Sequence, residues 1–93
     1  MIKSFKSKES EKVFRRVFSR KLPQDIQKTA YRRLAFLHSA REMKDLMLPP
    51  SNQLEKLHGE RQGQYSIRIN DQWRICFVWQ DGDAYEVEIV DYH

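Results

Sequence analysis

The sequence predicts an α+β domain in which two N-terminal helices pack on a small antiparallel sheet, with a short N-terminal edge strand. Three observations lead there. Apolar residues recur at helical spacing between Val13 and Leu37, they alternate with polar ones from Gln64 onward, and Asp81-Gly82 supplies a hairpin turn between two apolar runs. A chain of 93 residues that is 40% hydrophobic and 32% charged, with only 3 Gly and 3 Pro, has room for one modest core, so residues 1–93 read as a single domain.

Ile2 to Phe5 is the predicted edge strand. Ser7 is placed to cap the first helix, with Glu9 and Glu11 near the positive end of its dipole. Val13, Phe14, Val17 and Phe18 form that helix's apolar stripe and leave Lys12, Arg15, Arg16 and Arg20 on its other faces. Pro23 suits the first turn of a second helix, whose buried stripe is Ile26, Ala30, Leu34 and Leu37. Ser39 and Glu42 have capping-box spacing, so a further short turn of helix is expected up to Leu46, before Pro49-Pro50-Ser51-Asn52 breaks the chain.

From Gln64 the period becomes two, with Tyr65, Ile67 and Ile69 on one side and Ser66, Arg68 and Asn70 on the other. Asn70-Asp71 turns into the run from Trp73 to Trp79, dense enough in apolar residues for a central strand covered on both faces. In the last strand Tyr85, Val87 and Ile89 alternate with Glu86 and Glu88. The phenylalanines of the first helix, Trp73 and Trp79 read as core.

Charge is unevenly spread. Residues 1–41 hold 12 Lys and Arg against Glu9, Glu11 and Asp25, a net +9, whereas residues 42–93 hold 5 against 10 acids, a net −5. A basic front half attracts phosphate backbones, and acidic proteins as well. The lone Cys76 forms no internal disulfide and lies in an apolar run, which fits a reducing cytoplasm, and no stretch approaches the roughly 20 apolar residues of a membrane span.

Polar residues gather where the fold pattern does not require them: His58 and Arg61 before the sheet, Arg68 and Arg74 on neighbouring strands, and Asp91-Tyr92-His93 at the end. Metal-independent RNA cleavage needs a base for the ribose 2′-hydroxyl, a cation for charge growing on the phosphate, and an acid for the departing 5′-oxygen; His, Asp, Tyr and Arg cover these tasks. Tyr92 also suits stacking on an extruded base. The plainer reading makes the tail an exposed terminus, Arg68 and Arg74 solvated or paired with Glu86 and Glu88, and His38 structural. With no CxxC, HExxH or glycine-rich phosphate loop, neither a metal nor another cofactor is expected, and Cys76 is a poor nucleophile inside an apolar strand.

The run from Leu54 through His58, Gly59 and Arg61 to Gly63, continued by Tyr65-Ser66-Ile67-Arg68-Ile69-Asn70-Asp71-Gln72-Trp73-Arg74-Ile75-Cys76-Phe77 and closed by Val87 to His93, resembles the HigB toxins. These plasmid-maintenance killer proteins belong to the RelE/ParE superfamily. Ile2-Lys3-Ser4-Phe5 is similar to the family's opening strand, so the likeness covers nearly the whole chain. It implies a RelE-like fold and a cytoplasmic mRNA interferase that inhibits translation by cutting messenger RNA on the ribosome, without metal, and is held in check by a HigA-like helix-turn-helix antitoxin encoded directly downstream. It maps the family's C-terminal acid, tyrosine and histidine onto Asp91, Tyr92 and His93, and its phosphate-binding arginine onto Arg74. Some relatives carry a catalytic histidine four residues before the loop glycine and a lysine directly before it; Glu55 and His58 stand there instead, so acid–base work falls on His58 or on the C-terminal trio.

The expected site is thus Arg74 with Asp91, Tyr92, His93 and His58, the last three side chains meeting the Arg74 guanidinium, with Arg61 and Arg68 helping to hold RNA. Lys12, Arg15, Arg16 and Arg20 are expected to grip ribosomal RNA. Two other functions are compatible with the same residues: a non-enzymatic inhibitor of DNA gyrase, as ParE relatives are, and a basic RNA-binding accessory protein without toxicity.

Overall fold

The computed structural model describes residues 1–92. Among them the chain forms helices α1 (Lys8–Phe14) and α2 (Gln24–Ser39), then strands β1 (Glu55–Lys56), β2 (Gln64–Arg68), β3 (Trp73–Gln80) and β4 (Asp83–Asp91), all antiparallel in the order β1-β2-β3-β4. This is the predicted α+β arrangement. Short 3-10 turns at Met43–Met47, Pro50–Asn52 and Gly59–Arg61 fill the connection from α2 to β2.

Ser7 caps α1 as expected, its hydroxyl accepting from the Ser10 amide at 3.2 Å. The helix ends earlier than the apolar spacing predicts. Arg16 enters the left-handed region at φ 62°, the Val17 amide returns to the Lys12 carbonyl at 2.8 Å, and the Arg16 amide returns to Val13 at 3.0 Å. That bond pair is a Schellman closure, which usually employs glycine. Arg15, Arg16 and Arg20 therefore lie off the helix, and Phe18, predicted as core, is 58% exposed. The guanidinium of Arg16 lies 4.3 Å from the Tyr31 ring centroid, which helps to hold a backbone conformation that arginine rarely adopts.

Helix α2 follows its prediction: Ile26, Ala30, Leu34 and Leu37 are all buried. Pro23 stands just before the first turn, as its cap. The following turn is capped by Glu42 and Asp45 in a reciprocal box, rather than by Ser39, which closes α2. His38 is structural: its Nδ1 accepts from the Ile2 amide at 3.1 Å and its ring packs on Phe14.

Ile2 and Phe5 bridge Ala84 and Val87 in parallel, so the N-terminal segment covers the free edge of β4 through isolated bridges rather than a continuous strand. The helices cover the sheet face that carries Ile67, Ile75, Phe77, Val87 and Ile89. Tyr85 does not share that face. Glu86 adopts φ 52° where the β3–β4 register shifts, and this bulge places Tyr85 opposite Val78, while Ala84 pairs with Trp79. One extra residue inverts the side-chain alternation on either side of it, so a strict period of two misreads this strand.

Candidate active site

The face turned away from the helices carries the polar chemistry. Strand pairing aligns Glu55, Ser66, Cys76 and Glu88 in one row across the sheet, and Arg68, Arg74 and Val90 in the next. Ser66 and Cys76 are fully buried. Arg61 reaches over them, its Nη1 donating to Gln64 Oε1 at 3.1 Å and its Nη2 pairing with Glu88 Oε1 at 3.4 Å. Burial pushes the Cys76 thiol above its ordinary range, and the positive charges of Arg61 and Arg74 offset only part of that.

Arg74 is the centre of the arrangement and is only 7% exposed. Its Nε donates to Ser66 Oγ at 2.7 Å, and its Nη2 donates to the backbone carbonyls of Gln53 and, at 3.3 Å, Ser66. The remaining nitrogen, Nη1, lies 3.8 Å from the Glu55 carboxylate and makes no hydrogen bond among the described residues. A guanidinium has five N–H donors in a planar fork. Here three are engaged by fixed acceptors, and the Nη1 pair faces the Glu55 carboxylate. Gln53 can accept because it sits at φ 43° just after Asn52, and Asn52 is fully buried, receiving Arg33 Nη1 at 2.7 Å and donating to the Leu48 carbonyl at 3.3 Å.

The other predicted residues are distributed around this centre. Arg68 is the direct cross-strand partner of Arg74 and turns to Asp71 in the hairpin loop. Arg61 serves Glu88, the acid that a solvated-strand reading would give to Arg68 or Arg74. His58 is exposed at the start of the Gly59–Arg61 turn; its carbonyl accepts from the Arg61 amide at 3.4 Å, and its side chain makes no hydrogen bond or ion pair among the described residues.

Tyr92 is 39% exposed and donates its amide to the Gln72 carbonyl at 2.7 Å; strand alternation puts it on the face of Val90 and Arg74. Asp91 pairs with Trp73, hence on the opposite face, and receives Gln72 Nε2 at 3.1 Å. The structure thus brings Tyr92 to Arg74's side of the sheet but not Asp91, and His93 lies outside the described residues. Sequence reasoning missed Ser66 and Gln53 as anchors of Arg74 and the approach of Glu55. Ser66 was detectable, as a small polar residue on the outer face of a strand, whereas the Gln53 carbonyl had no sequence signal.

Of the four cations assigned to ribosomal RNA, Lys12 pairs with Glu9 at 3.6 Å and Arg15 with Glu11 at 3.0 Å, Arg16 covers Tyr31, and Arg20 is exposed without a carboxylate partner among the described residues. Among the described residues no three His, Cys, Asp or Glu side chains gather as a metal-ligand set, and no helix is long and apolar enough to cross a membrane.

The sequence model of the HigB-like toxins, RelE-like toxins of type II toxin–antitoxin systems, matches residues 3–93. The chain belongs to that family. Similar HigB proteins include Toxin HigB-1 of Vibrio cholerae serotype O1, 42% identical over 65 residues, which are 70% of this chain and 68% of that one. Another is Endoribonuclease HigB of Proteus vulgaris, 37% identical over 97 residues that span 100% of both. A chain of the heterotetrameric YoeB–YefM toxin–antitoxin complex from Staphylococcus aureus shares the fold at a TM-score of 0.60 with 20% identity, covering 100% of this chain and 98% of that one. As a HigB-like toxin the protein is one half of a pair, and its partner is an antitoxin.

Proposed function

We propose that this toxin is a metal-independent endoribonuclease that cuts messenger RNA on the ribosome, with Arg74 as the residue that holds the scissile phosphate. The observation that carries the reading is the Arg74 guanidinium, fixed on two nitrogens by Ser66 and Gln53, with the third free of hydrogen bonds among the described residues and facing the Glu55 carboxylate at 3.8 Å. A preorganised cation strengthens as the phosphate gains charge in the transition state and needs no reorganisation at that moment. The Proteus vulgaris relative, similar along its full length, bears the name endoribonuclease.

In the proposed reaction a base removes the proton of the ribose 2′-hydroxyl, and the 2′-oxygen bonds to phosphorus. The bond from phosphorus to the 5′-oxygen breaks, and that oxygen takes a proton from an acid, leaving a 2′,3′-cyclic phosphate and a 5′-hydroxyl. Glu55 is the described carboxylate nearest Nη1 of Arg74 and fits the base. His93 serves as the acid and Tyr92 stacks on or orients the nucleotide. Asp91, on the other face, acts through the tail's backbone rather than on RNA, and His58, Arg61 and Arg68 border the strand's path. Arg20, with Lys12, Arg15 and Arg16, contacts ribosomal RNA, and the inhibitor is a HigA-like helix-turn-helix antitoxin. No observation favours a gyrase inhibitor.

The test is messenger cleavage on purified translating ribosomes. Arg74→Ala and His93→Ala are expected to lose at least about a hundredfold in rate, the scale of removing one transition-state donor. Arg74→Lys keeps the charge without the fork and should recover only a small part. Cleavage at the wild-type rate by Arg74→Ala and His93→Ala, with circular dichroism unchanged, would refute the assignment.

A further inference from the structure

On the helix layer, away from Arg74, the segment after α1 and the exposed side of α2 enclose a groove of about 540 Å³. Val17, Phe18 and Tyr31 supply its apolar surface, and Arg16, Lys28 and Arg32 surround it. No acidic side chain lines it, and none of the three cations has a carboxylate partner among the described residues.

The exposure of Val17 and Phe18, 51% and 58%, is built into the loop. Two residues of the segment are locked from beneath. The Schellman closure at Arg16 fixes the entry, and Ser19, fully buried, fixes the exit. The Ser19 amide donates to Gln27 Oε1 at 3.1 Å, Gln27 Nε2 returns to the Ser19 carbonyl at 2.7 Å and to the Leu22 carbonyl at 3.0 Å, and the Ser19 hydroxyl donates to Glu9. That last bond holds the Glu9 carboxyl below its usual range. A loop tied to both helices presents two adjacent apolar side chains to water. Such a display costs solvation in the free protein, and because it is already ordered it loses little entropy on binding.

We infer that this groove is the docking surface for the antitoxin, and that the docking segment is an amphipathic helix with an apolar stripe for Val17 and Phe18 and acidic residues facing Arg16, Lys28 and Arg32. The inference rests on the toxin–antitoxin reading of the family. Charge complementarity sets the sign of the partner, and the apolar pair sets its class: an RNA backbone would satisfy the cations but leave the aliphatic Val17 uncovered, whereas a protein helix buries both. The acid-free lining also selects against basic partners, which would meet three unpaired like charges.

The experiment co-expresses the toxin with the product of the reading frame directly downstream, and measures complex formation by purified-component titration alongside ribosomal cleavage by the free toxin. Phe18→Asp and Arg32→Glu, both at surface positions, are the variants, with thermal unfolding confirming that each folds. Each is expected to weaken the complex at least roughly tenfold, and to lose growth rescue by the partner, while cleavage stays within about twofold of wild type. Unchanged affinity in both variants overturns the inference. Loss of cleavage with affinity intact overturns it too and makes the groove an RNA surface. If wild-type toxin does not cleave RNA, the nuclease proposal fails, and the complex measurement still decides this one.

Discussion

At the scale of single residues, the two groups that matter most on the outer sheet face are an arginine and a cysteine in consecutive outward positions of β3. Arg74 is nearly buried, and Ser66 and Gln53 replace hydrogen bonds to the water it lost. For Cys76 the nearby positive charges of Arg61 and Arg74 offset only part of the burial, and its thiolate is disfavoured. A raised folded-state value means that the group's contribution to stability is complete below the unfolded thiol's pKa of roughly 8.5 and is lost as pH rises through the folded value. Wild-type toxin should therefore lose stability as pH rises above roughly 8.5, a loss that Cys76→Val avoids, as read by urea denaturation of both. An identical pH response in the two proteins would remove the basis for this prediction.

Elements are decided by a few backbone positions. The β3–β4 hairpin turns on Asp81 and Gly82 at φ 52° and 82°, the pair of positive values that a type I′ turn requires. A Cβ built on Gly82 would meet the Arg41 carbonyl oxygen at 3.0 Å, whereas one on Gly59, at φ 67°, would meet nothing. Both substitutions to alanine incur the left-handed penalty, about 1–2 kcal/mol, and Gly82→Ala adds a displacement of the chain after α2. Gly82→Ala is accordingly expected to shift the urea midpoint further down than Gly59→Ala; equal shifts would show that the Arg41 backbone yields freely. The hairpin was legible from Asp-Gly alone. The bulge at Glu86 and the closure at Arg16 were not, because a non-glycine residue at positive φ leaves no mark in composition: partners elsewhere in the fold hold it there.

For the whole molecule, the division of charge along the chain becomes a division in space. The basic front half builds the helix layer, and the acidic back half builds the sheet, whose outer face keeps Arg61, Arg68 and Arg74 among Glu55, Asp71 and Glu88. Ribosome binding that relies on the helix layer should weaken steeply with salt. If four phosphates are neutralised, affinity falls roughly a hundredfold between 50 and 200 mM monovalent salt. Sedimentation with ribosomes across that range measures the slope, and a flat response would exclude a phosphate-driven contact.

Local pattern alone determined the order and kind of the main elements, the α2 core stripe and the central strand, since periodicity and turn chemistry act between near neighbours in the chain, whereas Arg74 was singled out by the family resemblance. Tertiary structure decided what those elements do together. It ended α1 at Phe14, turned Tyr85 outward, put Asp91 on the face opposite Arg74, and brought the Gln53 carbonyl and Glu55 of β1 to the guanidinium. Each of these depends on strand register or on contacts between distant residues. A register shift of one residue exchanges the faces of a strand without altering its sequence.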